Sequence, residues 1–244
     1  MIRPYTKPEL ERSVDKLLAG MPGVADSAPV PVEIILDKTP DIKRQEVLDL
    51  LAHEFGVEAM GLAPTFMRKD LIVVVDSEVM SHRNPAPYHM ALAEELGHIH
   101  LHRPVMLEVH DYRDFIALQN NPDWAIAERD AKYWGRALLM PRTLLEPAAE
   151  MVYRRVANEI GFSDLYQFSA LFTAHISAIF EIPPDDAQRR LDGYIGDLRG
   201  RLDRSVAARN ESLLAIDDTV EAFFAKRPLQ IELTESELFG GPAQ

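Results

Sequence analysis

The sequence contains no cysteine. Disulfide bonds, thiolate metal sites and cysteine nucleophiles are therefore excluded, and the absence fits a reducing compartment. No apolar run approaches the ~20 residues that span a bilayer, and residues 1–4 do not open a signal peptide. We therefore expect a cytoplasmic protein that does not associate with membranes.

Positive charge is scarce as well. The 244 residues include 26 Lys and Arg against 39 Asp and Glu, a formal net charge of -13. Nucleic-acid backbones are held by clustered Lys and Arg, so direct nucleic-acid binding is not expected. An acidic surface could instead dock a protein partner that has a basic face. The 47% hydrophobic and 27% charged residues are ordinary for a globular chain of this length.

The spacing of apolar and turn-forming residues predicts an α+β fold, with a small β-sheet against a mostly helical body. Strands are predicted at Val32–Leu36 and at residues 70–76, which are β-branched and bounded by charge. Helices are predicted over residues 7–20, 41–56, 85–102, 122–141, 142–160, 163–180, 184–202 and 206–226. We divide the chain into an N-terminal helix and connector (1–40), a central domain (41–202), and a C-terminal helix with a polar tail (203–244).

Three polar residues recur every fourth position on the helix predicted over residues 85–102, namely Glu94, His98 and His102. Each helical residue advances ~100°, so positions four apart lie on nearly the same face. Zinc peptidases use this spacing for two metal ligands, with a glutamate between them that activates water, and Glu95 has that position here. A third ligand must come from another segment, and Glu128, early on the next long helix, is a candidate.

Two segments resemble the ImmA/IrrE family of metallopeptidases. Residues 88–102 resemble its His-Glu-x-x-His helix, and residues 128–141, which end in Leu-Leu-Met-Pro, resemble its second motif without a gap. Residues 180–191 resemble a third element, so that the resemblance covers roughly residues 43–195. It implies a zincin-like core of the gluzincin type. It also implies cleavage of a helix-turn-helix transcriptional repressor that controls stress or mobile-element genes.

The resemblance also implies roles for individual residues. His98 and Glu128 would be zinc ligands, Glu95 the general base, and His102 a residue that supports the ligands. Glu94 stands where the family has its first ligand histidine, and Lys132 stands where the family has asparagine. Tyr112, in the connector between the two helices, could border the substrate cleft and polarise a carbonyl group.

The replacement at Glu94 leaves three arrangements open. In the first, Glu94 coordinates the metal together with His98 and Glu128, since a carboxylate oxygen is a competent zinc ligand. One imidazole and two carboxylates leave a zinc site formally near zero charge. Such a site acidifies bound water less, which predicts weaker hydrolysis and tolerance of manganese.

In the second arrangement, His98 and His102 bind the metal with Glu128. The residue after the first ligand is then Ile99, which cannot act as a base, so the metal would be structural. In the third, no metal binds, the carboxylates raise each other's pKa, and a Lys or Arg is expected beside them. The chain would then be a catalytically degenerate pseudopeptidase that acts as a sensor or a protein-binding module.

The first arrangement is the one that we expect. It predicts a zinc-dependent endopeptidase that acts on a protein substrate, with Glu94, His98 and Glu128 around the metal and Glu95 transferring protons.

Overall fold

The structure is a computed structural model that describes residues 2–39, 42–47, 65–68, 72–76, 85–108, 112–160, 165–194, 198, 200–202 and 204. These residues are mostly helical, which confirms that part of the predicted fold class. The strands are β1 (Lys43–Val47), β2 (Thr65–Arg68) and β3 (Ile72–Asp76). The helices are α1 (Lys7–Ala19), α2 (Val32–Lys38), α3 (Ala86–Met106), α4 (Tyr112–Gln119), α5 (Trp124–Leu139), α6 (Arg142–Ile160), α7 (Leu165–Phe180) and α8 (Pro184–Asp192).

The chain separates into two compact units, and the boundary follows α5. The first unit contains residues 1–141 and 181–183, and the second contains residues 142–180 and the chain from 184 onward. All the residues singled out for metal binding and catalysis belong to the first unit. The predicted division at residues 40 and 202 stays a prediction, and the helix predicted over 206–226 lies outside the described residues.

The sheet of the first unit has the strand order β1-β3-β2. Strand β1 runs parallel to β3, with Lys43 opposite Ile72, and β2 runs antiparallel to β3, with Thr65 opposite Val75. The strand predicted at residues 70–76 is therefore confirmed over its described part. Its β-branched residues suit the central position, and Val73 is fully buried.

Two predictions near the N-terminus were wrong. Val32–Leu36, predicted as a strand, belongs to helix α2, and its buried Val32, Ile35 and Leu36 have the spacing of one helical face. This face packs against α3. Residues 43–47, predicted as part of a helix, form β1, because pairing with the distant β3 outweighs the local apolar spacing. Residues 48–56 of that predicted helix lie outside the described residues.

Helix α1 confirms the helix predicted over residues 7–20. The Glu9 carboxylate accepts hydrogen bonds from the Thr6 backbone N–H and hydroxyl, both at 2.8 Å, which fixes the start of the helix. Leu10, Val14 and Leu18 are buried on one side, and the helix packs against α5. The N-terminal segment thus supports one of the two helices that carry the candidate site.

Helix α3 is buried on nearly all sides, since it packs against α2, β2 and α5. We predicted its end near His102, before Pro104. The helix instead continues to Met106, although the His102 backbone departs from helical geometry, with φ of -124° and ψ of 17°. Pro104 lacks the N–H that would continue the hydrogen-bond ladder, and this explains a local break close to the predicted end.

The described part of the second unit contains α6, α7 and α8. These helices confirm the ones predicted at 142–160 and 163–180 and the first half of the one predicted at 184–202. Helix α7 packs against both α6 and α8. Tyr194 donates a hydrogen bond to the Glu146 carboxylate, and an Arg201 N–H donates to the same carboxylate at 2.9 Å. Within the described ranges, no helix combines the length and apolar character that crossing a bilayer requires.

Candidate metal centre

Two glycines allow α3 and α5 to cross with their backbones in contact. A Cβ atom on Gly97 of α3 would lie 2.9 Å from the Ala131 carbonyl oxygen. A Cβ atom on Gly135 of α5 would lie 3.1 Å from the Glu94 backbone nitrogen. Real side chains do not tolerate the shorter of these distances without movement of the backbone. Gly97 therefore permits a close approach between helices, and the approaching segment is α5.

This crossing brings Glu94 and His98 of α3 next to Glu128 of α5. One ligand atom from each of the three residues lies within 4.8 Å of the others. His98 Nε2 is 3.3 Å from Glu128 Oε1. Tetrahedral zinc ligands about 2.1 Å from the ion are about 3.4 Å apart, so this separation suits a shared cation. Within the described ranges, this is the single group of three such residues, and it could hold a metal ion.

A lysine side chain enters the same group. Lys132 Nζ lies 3.0 Å from Glu128 Oε2 and 3.6 Å from Glu94 Oε1. Lys132 is one helical turn after Glu128, so both point to the same side of α5. The ammonium group thus bridges the two carboxylates that the metal would bind, and the third arrangement considered above expected such a positive partner.

The two carboxylates have opposite protonation tendencies. Burial raises the pKa of Glu94, and Glu128 raises it further, while Lys132 opposes the change. Burial also disfavours the charged form of Glu128, but the hydrogen bond from His98 and the Lys132 ammonium outweigh it and lower the pKa of Glu128. The negative charge is therefore held mainly on Glu128, and Glu94 is the carboxyl that takes up a proton more readily.

The His98 ring is fixed mainly by stacking. Its plane is within 6° of the Trp124 ring plane, with 4.7 Å between the ring centroids. Trp124 begins α5, so the helix that supplies Glu128 also orients His98. His98 Nδ1 is buried, and none of the residues that the structure describes hydrogen-bonds to it. Ligand histidines in metal sites usually donate this second N–H to an acceptor, which here would have to lie elsewhere.

His102 lies beside His98 and outside the converging group. The two ring centroids are 5.4 Å apart, and the Tyr5 ring meets His102 edge-on at 6.1 Å. Burial and the neighbouring His98 lower the pKa of His102 to about 4, so the ring is neutral at neutral pH. This environment suits a supporting residue.

Tyr5 also ties the two site helices together. Its hydroxyl donates to the Leu101 carbonyl of α3 at 3.0 Å, and its backbone N–H donates to the Asp130 carboxylate of α5 at 2.8 Å. Asp130 is buried and also accepts hydrogen bonds from Arg129. The extended segment before α1 therefore fastens α3 to α5 through a residue that sequence reasoning did not single out.

For Glu95 and Tyr112, the structure gives the position on the chain but does not test the predicted role. Glu95 is 7% exposed and follows Glu94 on α3, so it lies about 100° further round the helix. Its role as a general base stays a prediction. Tyr112 is the first residue of α4. The position of its side chain lies outside what the structure describes, so its contribution to a cleft also stays a prediction.

Sequence analysis did not place Lys132 or Trp124 beside the candidate ligands. Lys132 could have been found, because its spacing of four from Glu128 places both on one helix face. Trp124 carries no comparable signal, since stacking on His98 depends on the crossing of two helices.

In ligand type and spacing, the site fits a small divalent cation. Two changes would accompany binding: Lys132 would have to move aside, and His98 Nε2 would have to lose the proton that it donates to Glu128.

No protein-family model, curated protein or solved structure matches this chain.

Proposed function

We propose that this chain is a metal-dependent endopeptidase of the ImmA/IrrE type, with a zincin-like core and reduced activity. One observation carries the proposal. Donor atoms of Glu94, His98 and Glu128, from two helices, converge within 4.8 Å, next to the buried Glu95. A Glu-His-Glu donor set beside a third glutamate provides both parts of a hydrolytic site, a place for a cation and a base.

Glu94, His98 and Glu128 would hold the ion, and zinc is the metal that we propose. Zinc binds such nitrogen and oxygen donors, polarises carbonyl groups and acidifies water when it is bound. Two carboxylates among three ligands also suit manganese, which prefers oxygen donors. The second carboxylate lowers the net positive charge of the site, which is the reason to propose reduced activity.

The protein itself would supply the proton transfers. Glu95 would take a proton from the attacking water and return it to the leaving amine. His102 and Trp124 would hold the His98 ring in place during the reaction.

The proposed substrate is a protein. The net charge of -13 favours a partner with a basic face, which long-range electrostatics would attract. A helix-turn-helix repressor is the substrate class that the sequence resemblance suggests, and its DNA-binding surface would supply that basic face.

A metal-free binding module is the second candidate, and Lys132 is the observation that favours it. Its ammonium group lies 3.0 Å from Glu128 and 3.6 Å from Glu94, where it compensates their charge without a metal. In that case the fold of a peptidase would recognise a protein partner without cutting it.

Metal content separates the two candidates. We would purify the full chain without chelators and measure zinc and manganese by mass spectrometry, together with Glu94→Ala and Glu94→His. The peptidase proposal expects stoichiometric metal in the unmodified protein and its loss in Glu94→Ala. Metal found in Glu94→His alone would support the binding module.

Activity provides the second test. Metal-loaded protein would be incubated with a library of quenched fluorescent peptides, with Glu95→Gln as the matched variant. We expect slow cleavage by the unmodified protein, no cleavage by Glu95→Gln, and equal metal content in both. Equal cleavage by both proteins would remove Glu95 from the mechanism and contradict the proposal.

A further inference from the structure

Lys132 has two contacts that a metal ion would replace. Its Nζ is 3.0 Å from Glu128 Oε2 and 3.6 Å from Glu94 Oε1. The other oxygen of Glu128, Oε1, faces His98 Nε2 at 3.3 Å. Both oxygens of Glu128 are therefore engaged within the protein, one by a histidine ligand and one by an ammonium group.

We propose that Lys132 is an internal competitor of the metal, which closes the site with its own ammonium group and opens it by turning outward. The inference rests on the metal site proposed above and says what controls whether that site holds an ion. A divalent ion and an ammonium group cannot share two carboxylates at these distances without strong repulsion. Metal can therefore enter only when the lysine leaves.

The surroundings of Lys132 allow this movement. The side chain is 44% exposed, whereas Glu94 and Glu128 are 22% and 25% exposed. A lysine has a flexible four-carbon stem, so the ammonium group can reach water without any change in the backbone. The ligands, by contrast, are held by two helices in backbone contact at Gly97 and Gly135. The competitor moves while the ligands remain in place.

In the closed form, in which Lys132 contacts Glu94 and Glu128, the charges are balanced without a metal ion. The ammonium group compensates the negative charge that the two carboxyl groups hold, mainly on Glu128, in the absence of metal. The same residue then lowers metal affinity, because its contacts must be lost before the ion binds. Lys132 is thus a residue that sets metal affinity, and no role in bond breaking is assigned to it.

Metal affinity tests this inference directly. We would strip the full chain with a chelator and titrate Zn²⁺ and Mn²⁺ against a chromophoric competitor at one fixed pH. The variants are Lys132→Met, which keeps the length without the charge, and Lys132→Arg, which keeps the charge. Lys16→Met, at an exposed position of α1, is the matched control, because it changes the net charge by the same amount.

We expect Lys132→Met to bind Zn²⁺ at least about tenfold more tightly than the unmodified protein, a change of about 1.4 kcal/mol. Lys132→Arg and Lys16→Met should show no such gain. Adding Glu94→Gln to Lys132→Met should remove the gain, which would locate the ion at this site. Lys132→Gln provides a second uncharged variant if Lys132→Met does not fold, as judged by circular dichroism.

Two results would overturn the inference, and they differ in what they leave standing. In the first, the unmodified protein and Lys132→Met each bind one ion with equal affinity. The metal site would then stand, and the competition by Lys132 would be wrong. Absence of binding in every folded variant would remove the metal site, and with it both the proposed peptidase and the inference.

Discussion

Gly97 and Ala131 bring the backbones of α3 and α5 into contact. A Cβ atom on Gly97 would lie 2.9 Å from the Ala131 carbonyl oxygen and 3.1 Å from its Cα. Gly97 precedes His98, and Ala131 lies between Glu128 and Lys132, so the contact is within one helical turn of every member of the site. The distance between the helices therefore sets how far Glu128 lies from Glu94 and His98.

Gly97→Ala should force the two helices apart. Adding a methyl group to a packed contact costs about 1–3 kcal/mol, more than the preference of helices for alanine returns. We expect the free energy of unfolding to fall by that amount in urea titrations. Zinc affinity should fall too, because Glu128 would move away from His98.

Gly20→Ala is the control for this substitution. Gly20 follows α1 with helical dihedral angles, and among the described residues a Cβ atom there would meet only the Leu17 carbonyl oxygen, at 3.3 Å. We expect a change within about 0.5 kcal/mol. If Gly97→Ala were equally harmless, the close crossing of α3 and α5 would be wrong.

Trp124→Leu should release the His98 ring. The stacked pair is worth about 0.5–1.5 kcal/mol beyond the area that it buries, and the smaller side chain also leaves a cavity. We expect a loss of about 2 kcal/mol of stability and weaker zinc binding. Trp124→Phe keeps an aromatic ring and should give intermediate values of both quantities. Equal zinc affinity in all three proteins would show that the stacking does not position His98.

His89 should make stability depend on pH. The Glu33 carboxylate, 3.4 Å from His89 Nε2, raises the pKa of His89 against the effect of burial, and Glu181 adds to the rise. The stabilisation is complete below the ordinary histidine pKa of about 6.5 and is lost as pH rises through the higher value of the folded protein. His89→Gln should therefore destabilise the protein more at pH 6 than at pH 8.5 in urea titrations. Glu33→Gln should behave alike, and a penalty independent of pH would contradict the ion pair.

The contacts of Glu146 should make stability depend on pH in the opposite direction. Hydrogen bonds from Arg201 and Tyr194, with Arg142 nearby, lower the pKa of Glu146 to about 2. Its stabilising effect is complete above the ordinary pKa of about 4.5 and is lost as pH falls toward 2. Glu146→Gln should therefore be destabilising at pH 6, and the difference from the unmodified protein should shrink toward pH 2.5, as followed by thermal unfolding.

Glu159→Gln is the comparison for Glu146. Glu159 pairs with Arg155 four residues earlier on the exposed side of α6, and such surface pairs contribute about 0.3–0.5 kcal/mol. The two substitutions remove the same charge from one helix. Similar effects at pH 6 would mean that the Arg201 and Tyr194 contacts add nothing.

The long helices and the pairing of Glu94 with His98 could be predicted from sequence because their signals are local. Glu94 and His98 share a face through helical spacing alone, and α5 runs between two proline-marked ends close to the predicted ones. These signals require no knowledge of the rest of the chain.

Helix α2 and strand β1 could not be predicted in the same way. In Val32–Leu36 the β-branched residues favoured a strand, but burial of every third and fourth side chain against α3 decided for a helix. Lys43–Val47 becomes a strand only because β3, about thirty residues later, offers an edge for parallel pairing. Pairing between distant segments leaves little trace in either segment alone.

The contact at Gly97 has a consequence for how this protein can change. The separation of α3 and α5 rests on backbone packing at Gly97 and Gly135, so it does not depend on which side chains stand at positions 94 and 132. Single substitutions at Glu94 or Lys132 can alter the charge and the donor atoms of the site while this separation stays the same. An engineer could use the helix pair to build cation sites of graded strength, and natural drift could gain or lose a hydrolytic centre here by a few codon changes.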